Sequence, residues 1–160
     1  MPLFSRLMFA FVRFGARKGI AAEDAASPDS AKARARRTGI RGETFAYWYL
    51  RRHGYIFVAR NYRVRGIKGE IDLIGFDGPV LAFVEVKTRT RSADADGELG
   101  KPEGAVTAEK RRHLSRMARQ FLAERRLREA PCRFDVLAIE SRPGRPPEVR
   151  LHKGAFVADR

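Results

Sequence analysis

Four charged residues recur at two-residue steps in two short apolar segments near the middle of the chain. Glu70 and Asp72 lie in the first segment, and Glu85 and Lys87 lie in the second. Side chains on a β-strand alternate between its two faces, so residues two positions apart share a face. If both segments form strands, each strand therefore carries two charged side chains on one face.

The turn between the two segments predicts how these side chains meet. Asp77-Gly78 is a strong signal for a two-residue β-hairpin turn. Counting back from that turn places Glu70 opposite Glu85, with Asp72 one diagonal step away. Directly opposed residues have Cβ atoms about 5 Å apart, and diagonal ones about 7 Å. The sequence therefore predicts that three carboxylates and Lys87 converge at one end of a hairpin.

Such a cluster predicts metal chemistry. Opposed carboxylates repel each other, and one lysine offsets only part of that repulsion. A hard cation, Mg²⁺ or Mn²⁺, neutralises the rest, and Mg²⁺ is typically held by one or two carboxylates plus substrate phosphate. A bound ion of this kind lowers the pKa of a bound water and stabilises the leaving oxygen of a phosphodiester. The predicted metal ligands are Glu70, Asp72 and Glu85, and Lys87 would hold the scissile phosphate or position the attacking water.

The alternative interpretation of this pattern is a solvated sheet face with ordinary cross-strand pairs of glutamate and lysine. Leu81 and Phe83 share the face of Glu85 and Lys87, which indicates that this face is partly core. The polar residues are confined to one end of it. This distribution favours a metal or catalytic site over a solvated face.

Glu43 is a further acidic residue that is predicted to point inward. Residues 39–53 carry apolar side chains at three- and four-residue steps, which indicates a helix with Gly54 as its C-terminal stop. Glu43 lies one turn before Ala46, so it faces the apolar side of this helix. An inward carboxylate needs a reason, because burying charge is unfavourable.

The overall charge predicts an anionic partner. The 160 residues include 33 Lys and Arg against 19 Asp and Glu, which gives a formal net charge of +14. A surface this basic attracts polyanions, of which nucleic acid is the first expectation and an anionic membrane the second. Cys132 is the only cysteine, so no intramolecular disulfide can form, and a reducing, cytoplasmic location is expected.

The remaining pattern predicts an α/β fold. Apolar alternation bounded by turn residues predicts strands, and a long stretch of helical periodicity after Thr107 predicts an amphipathic helix capped by that residue. The order of these elements is typical of one mixed central β-sheet flanked by helices. The predicted helices cover residues 39–53 and 107–128, and the predicted strands cover residues 55–62, 69–76, 80–88, 133–140 and 149–151.

Residues 1–37 are predicted to precede the folded domain, which would occupy residues 38–160. For residues 1–18, which are basic and carry apolar residues at helical spacing, two interpretations stay open. They form an interfacial helix that binds a membrane, or they form a poorly ordered leader, and the leader is favoured. Residues 19–37 lack apolar periodicity, which predicts a flexible linker.

Several of these blocks together resemble the bacterial YraN-type family, a largely uncharacterised group. That family is itself similar to the PD-(D/E)xK nuclease superfamily, which includes archaeal Holliday-junction resolvases and restriction-type endonucleases. The resemblance covers about residues 38 to 156. It is carried by Gly42-Glu43 with Ala46, Arg60-Asn61-Tyr62-Arg63, Gly69-Glu70-Ile71-Asp72-Leu73-Ile74, Phe83-Val84-Glu85-Val86-Lys87-Thr88-Arg89 and Arg133-Phe134-Asp135-Val136.

The resemblance implies a restriction-endonuclease-like fold and a role for each acidic residue. Asp72 and Glu85 would be the metal ligands, Lys87 the catalytic lysine, and Glu43 an accessory carboxylate that reaches in from the helix. The first motif of the superfamily is usually an Asp loosely preceded by Pro. Here Glu70-Ile71 precedes Asp72 and proline is absent, a departure that removes no ligand.

Four basic residues are candidates for phosphate contacts. Arg63, Arg65 and Arg89 flank the acidic cluster at the ends of its strands, and Arg suits bidentate phosphate contacts. Lys110 lies one turn before Leu114 on the second helix. It either reaches the site and contacts phosphate or extends from the helix edge into water, and the sequence leaves both open.

These features give three hypotheses of function. The first is a metal-dependent nuclease that cuts DNA, including branched or damaged DNA, and the resemblance to resolvases admits a homodimer. The second is a non-catalytic nucleic-acid-binding module of the same fold. The third is a peripheral membrane or assembly factor that uses residues 1–18. Carboxylates close to phosphate repel DNA unless a cation lies between them, which favours the first hypothesis.

Overall fold

The computed structural model describes residues 31–90, 106–142 and 145–157. The predicted leader, residues 1–18, lies outside the described residues. No helix in the described ranges is long and apolar enough to cross a membrane. The elements, in chain order, are helix α1 (Ala31–Arg52), strands β1 (Ile56–Tyr62), β2 (Ile71–Asp77) and β3 (Val80–Thr90), helix α2 (Ala108–Glu124), and strands β4 (Cys132–Ser141) and β5 (Glu148–Phe156).

The strands form one mixed sheet in the order β1-β2-β3-β4-β5. The β1–β2 and β2–β3 pairs are antiparallel. The backbone N–H of Leu81, near the start of β3, donates to the carbonyl of Pro131, just before β4, at 2.8 Å. These two strands therefore begin side by side and are joined through α2, as a parallel pair requires. The predicted α/β class with a mixed central sheet is confirmed.

The β2–β3 hairpin turns at Gly78-Pro79 and not, as predicted, at Asp77-Gly78. Asp77 pairs with Val80, so Gly78 and Pro79 are the two central residues of the turn. Gly78 has φ 59° and the proline ring fixes φ near about −65°, a combination that suits a type II′ turn. The predicted turn would have placed Pro79 in the ladder, where it has no N–H to donate.

This turn shifts the pairing of β2 with β3 by two residues from the predicted register. Leu73 lies opposite Val84 in the last pair of this ladder, and Asp72 and Glu85 are the next residues beyond that pair on the two strands. The prediction that Glu70 lies opposite Glu85, with Asp72 on the diagonal, was wrong. Because the shift is even, every side chain keeps its predicted face.

Helix α1 begins at Ala31, whereas the sequence predicted a linker up to residue 37 and a helix from Gly39. The boundary predicted at residue 38 therefore falls within a helix. The first seven residues of α1 are all Ala, Arg or Lys, which are among the best helix formers. These residues lack apolar periodicity, so a search for periodicity misses them. The helix ends at Arg52, and Gly54 follows with φ 95°, as the predicted stop requires.

The cap of helix α2 was predicted correctly, whereas strand β5 is longer than predicted. Thr107 caps α2, since its hydroxyl accepts from the backbone N–H of Lys110 at 3.3 Å, as predicted. Strand β5 runs from Glu148 to Phe156 and is much longer than the predicted residues 149–151. Glu148, Arg150 and Lys153 interrupt its apolar residues, as is common in an edge strand, so the apolar signal was short.

The described residues divide into two compact units. The first unit contains residues 31–54, 86–90, 137–142 and 145–150. The second unit contains residues 55–85, 106–136 and 151–157. Strands β3, β4 and β5 each contribute residues to both units.

The core of the second unit forms where α2 packs on the β2–β3 hairpin. Phe83 of β3 contacts Phe121 of α2 edge-to-face, with ring centroids 6.1 Å apart. Phe83 also meets Phe134 of β4 at 5.4 Å, and Phe134 stacks on Phe156 of β5 at 4.6 Å. Aromatic pairs at these distances stabilise a core beyond the area they bury. Helix α2 is thereby fixed over the face that carries Asp72.

A polar network in the second unit fixes the hairpin turn. The carboxylate of Asp77, the last residue of β2, contacts the guanidinium of Arg133 and the ammonium of Lys153, the latter at 2.6 Å. These hydrogen bonds lower the pKa of Asp77 below its usual value. Arg133 also bonds the fully buried Asp135 at 2.8 Å, and Asp135 accepts from the hydroxyl of Tyr55 at 3.0 Å. The network joins residues of β2, β4 and β5 to Tyr55, which directly precedes β1.

In the first unit, α1 contacts the end of β3 at Gly42. A Cβ at position 42 would overlap the hydroxyl of Thr88 and lie 3.1 Å from its Cβ. The helix and the strand can approach this closely only because Gly42 has no side chain. The contact fixes the position of Glu43, the next residue of the helix, relative to Thr88.

Replacing Gly42 with alanine is expected to destabilise the fold by about 1–3 kcal/mol, because the added methyl group forces Thr88 or α1 to move. Gly39→Ala is the matched control on the same helix, since no described atom lies within 4 Å of a Cβ at this position. The better helix propensity of alanine should there stabilise the protein by up to about 1 kcal/mol. Urea unfolding of both variants measures the difference. Equal effects would show that Gly42 is not a contact point.

Candidate functional site

Two buried carboxylates lie at the end of the β2–β3 ladder, one on each strand. Asp72 is 8% exposed and Glu85 is 5% exposed. Each lies one residue beyond the Leu73–Val84 pair on its own strand, and strand alternation puts both side chains on the face of the Ile74–Phe83 pair. Two poorly hydrated carboxylates on neighbouring strands are unfavourable unless positive charge compensates them.

Lys110 supplies positive charge to this pair. Its ammonium lies 3.3 Å from Oε2 of Glu85. The Thr107 cap sets the start of α2, and Leu114 and Met117 on the buried side fix the rotation of the helix. Lys110, in the first turn, is thereby directed at Glu85. Of the two positions that the sequence left open, the structure has Lys110 reaching Glu85.

Glu70 is engaged elsewhere on the surface. Its Oε2 accepts from Nε of Arg63 at 2.8 Å and lies 2.7 Å from Nη2 of the same guanidinium. The hydrogen bond from Arg63 to Glu70 raises the pKa of that guanidinium. Arg65 is exposed in the same segment. The role of Glu70 as a third metal ligand and the roles of Arg63 and Arg65 in phosphate binding stay predictions.

The other predicted site residues belong to the first unit. Lys87 is half-buried two residues beyond Glu85 on β3, so the two side chains share a strand face. Arg89, further along β3, is exposed. Glu43 is half-buried on α1, beside the contact of Gly42 with Thr88.

The donor set of the carboxylate pair suits a hard cation. Within residues 31–90, 106–142 and 145–157, no group of three or more His, Cys, Asp or Glu side chains is arranged to hold a metal ion. A structural zinc site needs four such ligands and a catalytic one needs three. Mg²⁺ instead keeps several waters and uses one or two carboxylates plus substrate phosphate. Asp72 and Glu85 fit that smaller requirement.

Comparison with known protein families identifies a match that includes this carboxylate pair. The sequence profile described as "Uncharacterised protein family UPF0102" matches residues 42–139. The chain belongs to this family. The matched range contains both carboxylates and Lys110, and the resemblance to the YraN-type family is confirmed.

Relatives within UPF0102 match over most of their length. A UPF0102 protein of Koribacter versatilis is 41% identical over 135 residues, which is 84% of this chain and 89% of the relative. One of Symbiobacterium thermophilum is 46% identical over 123 residues, covering 77% and 98% of the two chains. One of Geobacter metallireducens is 43% identical over 118 residues, covering 74% and 90%. The description of the family names no activity.

Sequence analysis missed two features of the first and second units that bear on function. It placed Glu70 opposite Glu85, because it chose the wrong turn. It also drew no functional hypothesis from Tyr49 and His53, although they recur four residues apart, a spacing that aligns side chains along one helix face. That spacing was the available signal.

Lys110 and Glu85 are expected to stabilise the fold jointly. In buffer with EDTA, Lys110→Met should lower the free energy of unfolding by about 1–3 kcal/mol, between the values typical of exposed and buried ion pairs. Glu85→Gln removes the charge from the other partner. Urea unfolding of both single variants and the double variant gives their coupling energy. Additive losses would show that the two groups do not interact.

Proposed function

We propose that this UPF0102 protein is a divalent-metal-dependent nuclease with a restriction-endonuclease-like fold that hydrolyses phosphodiester bonds in DNA. One observation carries the proposal. Asp72 and Glu85 lie buried directly beyond the last pair of the β2–β3 ladder, one on each strand, and the Lys110 ammonium lies 3.3 Å from Glu85. Buried carboxylates on neighbouring strands are a poor way to stabilise a sheet and a good way to hold a cation.

Each residue of the pair has a role in this chemistry. Asp72 and Glu85 would hold Mg²⁺ or Mn²⁺, which when bound supplies a water of lowered pKa and charge stabilisation at the leaving oxygen. Lys110 offsets the charge of Glu85 in the free protein. Lys87, which shares the face of Glu85 on β3, is proposed to position the attacking water or the scissile phosphate. Glu43 is proposed as an accessory carboxylate.

The charge of the chain supports a nucleic-acid substrate. A formal net charge of +14 favours association with a polyanion and makes affinity fall steeply with salt. The exposed Arg65 and Arg89 are proposed to contact phosphates. A cytoplasmic location belongs to the same proposal, because Cys132 is the only cysteine and disulfides are absent from most cytosolic proteins.

A non-catalytic nucleic-acid-binding module of the same fold is the second candidate. Its support is the net charge alone, which both candidates share. A module that only binds gains nothing from two buried carboxylates, because they repel phosphate. The carboxylate pair therefore favours the nuclease.

If the protein is this nuclease, Glu85→Gln should lower the rate of metal-dependent cleavage by about a hundredfold or more. The assay uses labelled single-stranded DNA, duplex, fork, four-way junction and RNA with Mg²⁺ or Mn²⁺, and EDTA as the blank. Asp72→Asn should behave like Glu85→Gln. Glu109→Gln is the matched control, since Glu109 is an exposed glutamate in the first turn of α2. Its activity should equal that of the wild type.

Circular dichroism establishes that each variant is folded before its activity is compared. Cleavage by the wild type that Glu85→Gln retains would contradict the proposed metal site. Absence of cleavage by the wild type on every substrate, together with tight and salt-sensitive binding, would instead establish the binding module. Cleavage confined to the four-way junction or the fork would assign the substrate.

A further inference from the structure

A cleft in the first unit lies between the C-terminal turns of α1 and the start of β5. Its volume is about 400 Å³, within the range of pockets that bind small organic ligands. Phe45, Tyr49 and His53 line one wall. Pro147 and Val149 belong to the opposite wall. None of the predicted site residues lines it.

The helix wall is a ladder of aromatic rings. Phe45, Tyr49 and His53 are spaced four residues apart, so their side chains follow one face of α1. The rings of Phe45 and Tyr49 stack with centroids 6.3 Å apart and planes 18° apart. The rings of Tyr49 and His53 lie 4.2 Å and 31° apart. Phe45 is buried, Tyr49 half-buried and His53 exposed, so the ladder runs from the core to the surface.

The His53 ring is held in a defined tautomer. Its Nδ1 lies 2.8 Å from the backbone carbonyl of Tyr49. A carbonyl oxygen only accepts, so Nδ1 carries the proton and donates. In the neutral ring, Nε2 is then an acceptor. The same hydrogen bond keeps the imidazole against the ring of Tyr49.

The chemistry of the cleft selects a planar, anionic occupant. Aromatic faces bind flat rings by stacking, and every nucleobase has such a face. The His53 acceptor can take a hydrogen bond from a base N–H. Arg52 also lines the cleft and provides positive charge for a phosphate. A proline-rich peptide could pack on the aromatic rings, but it has no anionic group for Arg52. The net charge of the chain, +14, also favours an anionic ligand.

We propose that this cleft binds an unpaired nucleobase of a single-stranded nucleic acid, with the His53 ring, supported from behind by Tyr49, as the stacking surface and Arg52 as the contact to the adjacent phosphate. The inference rests on the proposed function in so far as that function supplies a nucleic-acid substrate. A duplex keeps its bases stacked on each other, so the cleft would recognise an overhang, a gap or a flipped base. It would give the protein a preference for substrates with unpaired nucleotides.

The test compares two oligonucleotides of equal charge in EDTA, where no cleavage occurs. One is a fluorescently labelled ten-residue deoxythymidine strand, and the other has abasic sites in place of the bases. Fluorescence anisotropy measures both affinities. The wild type is expected to bind the thymidine strand about tenfold more tightly than the abasic one. Tyr49→Ala should abolish that ratio, and Tyr49→Phe should keep it.

Two further variants control for misfolding and for effects of substitutions outside the cleft. His53→Ala alters an exposed residue, so it should lower the ratio without unfolding the protein. Tyr47→Ala is the matched control on the same helix, because Tyr47 packs edge-to-face on Trp48 and does not line the cleft. It should leave the ratio unchanged.

Each other outcome overturns the inference in a recognisable way. Equal affinity of the wild type for both strands shows that no base is bound. A ratio that survives in both Tyr49→Ala and His53→Ala shows that bases bind elsewhere. If the wild type binds neither strand, the inference fails. In that case the cleavage panel decides separately whether the proposed function survives. If these variants abolish base-dependent binding but the wild type cuts no substrate, the proposed base-binding cleft is supported and the proposed nuclease activity is contradicted.

Discussion

Two carboxylates on neighbouring strands of one sheet face repel each other, and burial strengthens that repulsion because less water surrounds them. Asp72 and Glu85 lie directly beyond the last pair of the β2–β3 ladder, each less than a tenth exposed. The fold can keep them there only with positive charge nearby. Lys110 supplies one ammonium, and a divalent cation would supply more. The rest of the second unit can be understood as the scaffold that holds these three side chains together.

The scaffold acts by fixing a register. A slip of one residue between β2 and β3 would send Asp72 and Glu85 to opposite faces. The turn at Gly78-Pro79 sets the pairing, and Arg133 and Lys153 hold Asp77 at its first paired position. On the same face, Phe83 packs against α2, which brings Lys110 to the carboxylates. The arrangement of Asp72, Glu85 and Lys110 therefore depends on the hairpin turn, on the polar network around Asp77 and on the aromatic core.

The features of the fold that could be predicted are those whose sequence signal lies in residues close together along the chain. Strand alternation is local, so the sequence correctly placed Asp72 and Glu85 on one face. The register was wrong because Asp77-Gly78 and Gly78-Pro79 are both turn signals, and the missing N–H of Pro79 decides between them. The start of α1 at Ala31 depends on helix propensity rather than periodicity. The contact of Lys110 with Glu85 depends on how α2 packs, which sequence spacing does not encode.

Anomalous diffraction from crystals grown without metal and soaked in MnCl₂ tests directly whether the carboxylate pair holds a metal ion. We expect a manganese peak coordinated by carboxylate oxygens of both Asp72 and Glu85, at about 2.1 Å as for a hard octahedral cation. Crystals of Glu85→Gln should lack the peak. A wild-type map without a peak at this pair, or with manganese only at other carboxylates, would contradict the claim that the pair exists to hold a metal ion.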